Sequence, residues 1–287
     1  MSRPNIRPIL RDDVDAVVTL LHASHMAARP LDEIRQIVLH DWPVERPNYG
    51  YLLEAEGRVV GCILAAFSER LIRGRQERFC NVGTWYVEPE FRSYSLPLSW
   101  KLGALQGYTM TALTPNPTSK ASFARSRYTT LEDMCHLYMP GVGGRGRWSL
   151  GVRVTGNVRA IEPELDPVDR QILRDHLPFP VRHFLLTVRG RSEYAYIVTR
   201  RWRYWKRDLV PVSEVLYASN KPLAARYFES LKLNILLRDR SLVLGVERRL
   251  LGNDIPVGHL FPRLRFFRSE TLDAEDVDNL YSEAVFL

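Results

Sequence analysis

The sequence predicts an α/β protein of two domains, in each of which a mixed, mostly antiparallel sheet is flanked by helices. Three observations support this prediction: strand-like and helix-like segments follow one another in a regular order, the second half of the chain partly repeats that order, and four glycines lie within residues 140–146. Because glycine-rich stretches form loops and hinges, we predict a first domain over 1–140, a linker over 141–150 and a second domain over 151–287. The alternative is one domain with a long glycine-rich loop.

The first half shows the alternation most clearly. Apolar residues that recur every two positions predict strands, and those that recur every three or four positions predict helices. The predicted order is a strand over 6–10, helices over 14–21 and 31–39, a hairpin over 51–67, a strand over 79–87, a helix over 98–105, a strand over 108–113 and a helix over 118–124.

The second half contains a matching hairpin. Residues 184–191, Phe-Leu-Leu-Thr-Val-Arg-Gly-Arg, resemble residues 51–58, Tyr-Leu-Leu-Glu-Ala-Glu-Gly-Arg. The other matches are Ile161-x-Pro163 with Ile6-x-Pro8, and the strand–helix step over 212–231 with the later strand–helix step of the first half. Because such self-similarity indicates repeated units, we predict a duplicated fold. Its second copy should be shorter before the hairpin, by roughly the length of a helix.

The composition excludes several classes of protein. With 287 residues, 45% of them hydrophobic, the chain can bury a large core without covalent staples. Its three cysteines, Cys62, Cys80 and Cys135, are widely spaced and include no Cys-x-x-Cys pair, which argues against a disulfide framework and a structural zinc site. We therefore expect a reducing, cytoplasmic environment and no bound metal.

Charge and hydropathy narrow the possible partners. The sequence has no apolar signal core near its start and no run approaching about 18 apolar residues, so we expect neither a signal peptide nor a membrane span. The 40 basic residues outnumber the 33 acidic ones and give a net charge of +7. This balance favours an anionic partner, whether a phosphorylated cofactor, a nucleic acid or a lipid surface.

The most informative segment runs from residue 78 to residue 128. A predicted strand ends in Val-x-Pro-x-x-Arg at 87–92, a helix and a short strand follow, and a second motif, Asn-x-x-Ser-x-x-x-Phe, occupies 116–123. The first N–H groups of a helix have no partner within the helix and lie at the positive end of its dipole, so they favour an anion. A diphosphate fits such a position.

These motifs resemble the acetyl-CoA-binding core of the GCN5-related N-acetyltransferase (GNAT) superfamily, which reads Val-x-Pro-x-x-Arg/Gln-x-x-Gly-x-Gly/Ala followed by Asn-x-x-Ala-x-x-x-Tyr. The matching residues are Val87, Pro89, Arg92, Asn116 and Ser119. The sequence departs from the pattern at Ser95 and Pro97, where small residues are usual, and at Phe123, where the family has Tyr. The resemblance implies a GNAT fold in each half, with the second copy degenerate.

The resemblance also implies acetyl-CoA or another acyl-CoA as cosubstrate. In the superfamily the fourth and fifth strands separate at a bulge, the pantetheine arm bonds to the exposed strand edge, and N–H groups at the next helix surround the diphosphate. The residues at these positions are Trp85, Tyr86, Val87, Arg92, Ser93, Tyr94, Ser95, Leu96, Leu98, Asn116, Ser119 and Phe123. Pro97 has no N–H, so we expect weaker binding than in a member with both small residues. The shorter stretch over 218–223 predicts that the second copy binds no CoA.

Acyl transfer to an amine requires a group that accepts the amine proton and one that protonates the departing thiolate. The resemblance places the base of the family at Asn81 and its acid at Phe123, and neither side chain can serve. The remaining candidates near the predicted cleft are His136, Glu54 and Tyr138, followed by Glu56 and Glu69. His136 comes first because its unperturbed pKa suits proton transfer near neutrality. For each candidate, a solvated or structural role is the alternative.

Residues 200–207, Arg-Arg-Trp-Arg-Tyr-Trp-Lys-Arg, form the strongest local charge feature. In an extended strand Arg201, Arg203 and Trp205 share one face. Such a face could bind an anionic or sugar-containing substrate. The alternative is an exposed hairpin strand whose arginines extend along the surface while its aromatic rings pack on the sheet.

The leading prediction is an acyl-CoA-dependent N-acyltransferase that acts on an amine of a small molecule, an amino sugar or a peptide. The first half would carry the cofactor, and the second half would shape the acceptor site. The first alternative is a non-catalytic, degenerate GNAT-fold protein retained for binding or assembly. The second is a nucleic-acid-binding protein that uses residues 200–207, which we favour least because no RNA-binding motif accompanies that strand.

Overall fold

The strands and helices of the first half follow its apolar pattern. The structure is a computed structural model, and it describes residues 3–24, 26–40, 42–116, 119–141, 151–204 and 210–286. The elements of the first half are β1 (Asn5–Pro8), α1 (Val14–His22), α2 (Leu31–Leu39), β2 (Gly50–Ala55), β3 (Arg58–Ile72), β4 (Arg75–Val87), a 3₁₀ turn (Pro89–Tyr94), α3 (Ser95–Gly103), β5 (Thr109–Ala112), α4 (Lys120–Arg125) and β6 (Thr129–Tyr138).

The second half has a similar series of elements. They are β7 (Val152–Thr155), α5 (Val158–Ile161), α6 (Pro167–His176), β8 (Val181–Val188), β9 (Tyr194–Tyr204), β10 (Val210–Ala218), α7 (Lys221–Arg226), α8 (Phe228–Asp239), β11 (Val243–Val246), α9 (Arg248–Leu251) and β12 (His259–Arg268).

Local chemistry explains the first helices and the first hairpin. In α1, Val14, Val17, Val18 and Leu21 are buried at helical spacing, and this face packs against α2 and β3. The turn between β2 and β3 has positive φ angles at both Glu56 (52°) and Gly57 (74°). Two such residues in succession form a turn whose twist matches that of the flanking antiparallel strands.

The elements assemble into two compact units that each draw on both halves of the chain. The first unit comprises the chain up to Leu131 together with Arg265–Asp273 and Tyr281–Ala284. The second includes Glu132–Leu264 and Ala274–Leu280. This division differs from the predicted domains, because most of β6 lies in the second unit and the end of β12 lies in the first. Residues 142–150 of the predicted linker are outside the described residues.

The two units have the same strand order. In the first unit it is β1-β2-β3-β4-β5-β12, and in the second it is β7-β8-β9-β10-β11-β6. Neighbouring strands are antiparallel except for β4 with β5 and β10 with β11, which are parallel. This correspondence agrees with the predicted duplication of a mixed, mostly antiparallel sheet.

Two details predicted for the second copy are wrong. No helix is missing before its hairpin, because α5 and α6 both lie between β7 and β8. The shortening arises instead within the helices, since α5 has 4 residues and α1 has 9. The proposed match between Ile161 and Ile6 also fails, because Ile161 ends α5 whereas Ile6 lies in β1.

The helices bear on whether the chain could cross a membrane. Among those in the described part of the chain, none combines the length and the apolar character that crossing a membrane requires.

Candidate active site

Strands β4 and β5 pair over only part of their length. Residues 79–81 of β4 pair in parallel with residues 109–111 of β5, and β4 then continues to Val87. Beyond residue 81 the edge of β4 that faces β5 therefore leaves the ladder. Its N–H and C=O groups become available to a partner other than a strand of the same sheet.

A β-bulge lies where the two strands separate. Two residues of β4, Gly83 and Thr84, lie opposite the single residue Leu64 of β3. A bulge of this kind bends the strand and redirects backbone groups, which is why bulges are common beside active sites. The corresponding strand of the second unit, β10, has a similar irregularity between Val215 and Tyr217.

A cavity of about 320 Å³ opens beside this part of β4. Its lining comes from the strands, from α3 and from the end of α4, and comprises Ile63, Val82, Ser99, Trp100, Leu102, Gly103, Ala104, Arg125, Ser126, Arg127, Tyr128 and Arg268. The size is at the lower end of the range of small-molecule sites. All of these residues belong to the first unit.

The cavity has an apolar floor and a cationic rim. Leu102 and Val82 are buried, whereas Arg125 and Arg127 are exposed to solvent. Arg268 donates hydrogen bonds to the carbonyl oxygens of Gly103 (2.8 Å) and Ser126 (3.2 Å), so its guanidinium is fixed at the wall. An elongated ligand with an apolar part and an anionic end fits such a lining.

A carboxylate lies on the other face of β4. Asn81 and Val82 are neighbours in an extended strand, so their side chains point to opposite faces, and Val82 lines the cavity. On the face of Asn81, Glu283 accepts hydrogen bonds from the Thr84 N–H (2.8 Å), from the Thr84 hydroxyl and from the Thr114 hydroxyl (2.8 Å). The backbone N–H of Thr84 at the bulge is therefore hydrogen-bonded to a carboxyl group of the same chain.

Glu283 is almost completely enclosed. Only 2% of its surface is exposed, and burial raises the pKa of its carboxyl group, an effect that the hydrogen bonds from Thr84 and Thr114 oppose. The charge of Arg29 has a smaller effect in the opposite direction, because it favours the ionised form. A raised pKa at a strand bulge is typical of functional carboxylates, although structural groups can show it as well.

The strand edge predicted to hold the pantetheine arm is part of this site. Trp85, Tyr86 and Val87 form the end of β4 and pair with β3 on its other side. The Trp85 ring meets the ring of Phe123 edge-on at 6.4 Å. Phe123, at the position of the family's acid, is buried and stacks on Phe266 at 5.3 Å, so it contributes to packing.

The predicted diphosphate loop is helical. Residues 89–94 form a 3₁₀ turn that leads directly into α3 at Ser95, so the helix begins three residues before the predicted Leu98. Arg92 and Ser93 are exposed, whereas Leu98 is buried. The contacts predicted for Tyr94, Ser95 and Leu96 would therefore use helical backbone. In the second motif, the Asn116 carbonyl accepts hydrogen bonds from the Ser119 N–H (2.9 Å) and hydroxyl (2.6 Å).

The three predicted catalytic side chains have local partners. Glu54 lies in the first unit and accepts a hydrogen bond from Arg7 at 2.8 Å. His136 and Tyr138 lie in the second unit, where the ring of His136 accepts from the Gly258 N–H (3.3 Å). The Tyr138 hydroxyl donates to the Pro256 carbonyl at 2.6 Å. Each of the three side chains is thus engaged in a hydrogen bond within its own unit, and a catalytic role for them stays a prediction.

Burial changes the acidity of these side chains. It lowers the pKa of His136, with a smaller effect of Arg248 in the same direction, and it raises the pKa of Tyr138 to about 12. Cys135, beside His136, is buried as expected for a core residue. Within the described residues, no group of three or more His, Cys, Asp or Glu side chains is arranged to hold a metal ion.

The basic aromatic strand is partly committed to packing. Arg200 is 4% exposed and pairs with Glu214 at 2.9 Å, and Arg263 pairs with the same carboxylate at 2.8 Å. The guanidinium of Arg263 also lies 5.1 Å from the centre of the Trp202 ring. Arg201 and Arg203, predicted to bind substrate, are exposed, and Trp205 lies outside the described residues.

Comparison with known proteins identifies the fold. No protein-family model and no curated protein sequence matches the chain. Among solved structures, a GCN5-related N-acetyltransferase from Anabaena variabilis is similar with a TM-score of 0.60 and 11% identity, over 93% of this chain and 72% of its own. One from Kribbella flavida has a TM-score of 0.52 and 13% identity, over 93% and 72%.

A third similar structure is N-myristoyltransferase from Saccharomyces cerevisiae with bound myristoyl-CoA. Its TM-score is 0.50 at 11% identity, over 98% of this chain and 84% of its own. At such identities the likeness establishes the fold, and the GNAT fold predicted from the two motifs is confirmed.

Sequence reasoning missed the cavity and the buried carboxylate. The cavity contains none of the predicted cofactor residues, although the pair Arg125 and Arg127 after the last predicted helix of the first half was a usable signal. Glu283 gave no such signal. It lies 199 residues from Thr84 in the sequence, and no local pattern distinguishes it from a surface glutamate.

Proposed function

We propose that this chain, whose fold is that of the GCN5-related N-acetyltransferases, transfers an acyl group from acyl-CoA to an amine. The observation that carries the proposal is the separation of β4 from β5 at a bulge, beside a cavity between α3 and the end of α4. A fold alone does not fix a function. Here the fold is accompanied by an open strand edge and a cavity of suitable lining at the same place.

The pantetheine arm of CoA contains two amides, and it can bond to a free strand edge as an added strand does. The edge of β4 beyond residue 81 leaves the β5 ladder and would supply this surface, although the Thr84 N–H within it is already bonded to Glu283. The acyl group would then lie near the bulge at Thr84. The anionic end of the cofactor would meet the cationic rim formed by Arg125 and Arg127, or the exposed Arg92 on the 3₁₀ turn.

The same geometry supports a proposal for the chemical class of the acyl chain and of the acceptor, but not for their identity. The floor of the cavity is apolar, so it suits an acyl group, acetyl or longer. The acceptor is a primary amine of a small molecule, an amino sugar or a peptide, as acyl transfer of this type requires a neutral amine nucleophile.

Ligand-induced stabilisation tests the cofactor assignment. At about 100 times its dissociation constant, acetyl-CoA should stabilise the wild-type protein by about 2.7 kcal/mol, measured as a shift in thermal unfolding. Ser99→Trp places a large ring in the cavity and should abolish the shift, because Ser99 lines it. Lys101→Trp places the same ring on the exposed side of α3 and should retain the shift.

Two results would contradict the assignment. One is the absence of any shift in the wild-type protein with acetyl-CoA and with a long-chain acyl-CoA. The other is an equal shift in the Ser99→Trp and Lys101→Trp variants. Release of free thiol from acetyl-CoA in the presence of an amine would then establish turnover in the protein that binds.

A non-catalytic role is the second candidate, and specific observations favour it. The helical turn at residues 89–94 replaces an open loop, and Phe123 is packed among aromatic rings. A protein that binds acyl-CoA in the thermal assay yet releases no thiol with any amine would have this role.

Nucleic-acid binding finds less support. Arg200 is committed to a buried ion pair and Trp202 to a contact with Arg263, which leaves Arg201 and Arg203 as the exposed cations of the described part of this strand. Binding through these residues would weaken steeply with salt.

A further inference from the structure

We propose that the second unit binds a small hydroxylated molecule that carries a phosphate or carboxylate group, in a cavity on one face of its first two strands. The cavity lies outside the site described above, and all of its lining residues belong to the second unit. The inference therefore goes beyond acyl transfer. It gives a role to the copy of the fold for which the sequence predicts no CoA.

The cavity has a volume of about 500 Å³, which is within the range of small-molecule sites. One face of β7 and β8 forms its floor, through Thr155, Leu185 and Thr187. Its walls come from the end of α5 with the turn that follows, and from the turn before β9. Several of the lining side chains are exposed, Arg153 among them, so a molecule can enter this space from solvent.

The first unit fills the corresponding space with its own side chains. On β1, Arg7 donates hydrogen bonds to Glu54 (2.8 Å) and to Asp13 (2.8 Å), so two carboxylates hold one guanidinium. The hairpin repeat places Thr187 at the position of Glu54, and the strand register then places Thr155 at that of Arg7. Where the first copy has an ion pair, the second has two hydroxyl groups and a cavity.

Hydrogen-bond donors without a partner in the described part of the chain line this cavity. They are the guanidinium of Arg153 and the hydroxyls of Thr187 and Ser192. The Thr155 hydroxyl accepts a hydrogen bond from the Asn157 N–H (3.2 Å), which leaves its own proton for a further bond. An oxyanion offers only acceptors, so it matches a lining in which unpaired donors predominate.

The charges of the lining leave one guanidinium for a ligand. Arg191 pairs with Glu193 at 2.6 Å, so these two charges offset each other. Arg153 lies opposite a neutral residue, Thr187, in the β7–β8 pair. A planar guanidinium can hold a phosphate or carboxylate through two parallel hydrogen bonds, while nearby hydroxyls bind other hydroxyl groups of the same molecule. The remaining carboxylate of the lining, Glu164, lies on the turn after α5.

Calorimetry on the full chain tests the proposal, with glucose 6-phosphate, gluconate and inorganic phosphate as probes and glucose as the neutral comparison. We expect glucose 6-phosphate or gluconate to bind, inorganic phosphate to bind more weakly and glucose not to bind, because the anion forms the charge-assisted hydrogen bonds. The tighter of the first two distinguishes phosphate from carboxylate. No binding of either at up to about 10 mM, or equal binding of glucose, would overturn the proposal.

Arg153→Gln removes the guanidinium and should weaken binding of the tighter probe at least about tenfold, as expected for the loss of charge-assisted hydrogen bonds. Arg189→Gln is the matched control, because Arg189 is an exposed arginine of the same hairpin outside the cavity lining. It removes the same charge and should change the dissociation constant by less than about threefold. Equal weakening in both variants would indicate a general effect of net charge and overturn the proposal.

Thr187→Glu provides a second variant, chosen to preserve the fold. It places a carboxylate directly opposite Arg153 in the β7–β8 pair, and opposite charges at such positions stabilise a sheet. The new carboxylate would pair with the guanidinium and repel an anion, so binding should be lost. Binding that persists unchanged in this variant would contradict the proposed site.

Glu164→Gln tests the sign of the ligand charge. Removal of this carboxylate should tighten binding of an anion, because it takes away a repulsive charge from the wall of the cavity. Binding that is instead about tenfold weaker would mean that Glu164 holds a cationic group of the ligand, and the proposal of an oxyanion would be wrong.

The outcome is independent of acyl-CoA binding. Ser99→Trp blocks the cavity of the first unit and should leave the affinity for the tighter probe unchanged. A wild-type protein that binds this probe but shows no stabilisation by acetyl-CoA would contradict the proposed acyl transfer alone. If Ser99→Trp abolished binding of the probe, the oxyanion would bind in the first unit, and the inference about the second unit would be overturned.

Discussion

His183 on β8 makes the stability of the second unit depend on pH. The residue is buried, its Nδ1 lies 2.8 Å from the Tyr196 hydroxyl, and burial lowers its pKa to about 4. In the unfolded chain the pKa is about 6.5, so the unfolded state binds the extra proton between these two values. His183 therefore stabilises the fold above about pH 6.5, and this contribution is lost as the pH falls towards 4.

The prediction can be checked by urea denaturation of wild-type protein and His183→Gln, whose side-chain amide can form a hydrogen bond with the Tyr196 hydroxyl but does not ionise. The difference between their free energies of unfolding should change by about 3 kcal/mol between pH 7.5 and pH 4, in favour of the variant at low pH. His40 has a pKa lowered to about 3, but it is present in both proteins and cancels in the difference. A difference that stays constant with pH would contradict the prediction.

Single residues were predictable where their neighbours in sequence determine them. Alternation placed the end of β4 correctly at Val87. The role predicted for Phe123 in cofactor binding stays a prediction, and in the structure its ring packs against Trp85. Glu283 could not be found in this way. Its contacts join positions 199 and 169 residues apart, and only the folded sheet brings these together.

At the scale of elements, the β2–β3 hairpin depends on one close approach. Gly50 has a φ of 116°, and a Cβ at this position would lie within 3 Å of backbone atoms of β3. Gly50→Ala should therefore lower the free energy of unfolding by about 3 kcal/mol or more, since backbone atoms cannot move aside cheaply.

Gly57 in the turn of the same hairpin is the matched control. It also has a positive φ, of 74°, but no atom lies within 4 Å of an added Cβ. Gly57→Ala should cost about 1 kcal/mol, which reflects the conformation alone. Urea denaturation of the two variants measures the difference. Equal losses would show that the crowding at Gly50 is relieved by movement of β3.

Element type was easier to predict than element boundaries. The predicted hairpin over 51–67 corresponds to β2 and β3, although β3 continues to Ile72. The predicted start of α3 at Leu98 lies three residues after its observed start at Ser95. Pro97 misled the prediction, because a proline is tolerated within the first turn of a helix, where its missing N–H costs nothing. The helical turn at 89–94 was missed because the motif suggested an open loop.

At the scale of the whole molecule, the two units are not the two halves of the sequence. The sheet of the first unit ends with residues of β12, and the sheet of the second ends with β6. Repeated sequence correctly indicated repeated topology. It could not indicate which strand completes which sheet, because strand pairing over more than a hundred residues leaves no periodic trace in the sequence.

The sheet of the first unit is completed by a strand from the second half of the sequence. We therefore predict that a fragment of residues 1–140 will not fold alone. The fragment lacks Arg265–Arg268, which pair with β5 through Phe266 and Ala112, and it lacks Glu283 at the bulge of β4. The edge of β5 would then be unpaired, and Thr84 and Thr114 would lose their acceptor. Thermal unfolding followed by circular dichroism should show no cooperative transition for the fragment, whereas the full chain should show one. Addition of a fragment of residues 151–287 should restore it, because the missing strand and the missing carboxylate return together. A monomeric 1–140 fragment that unfolds cooperatively by itself would mean that the first half can complete its own sheet.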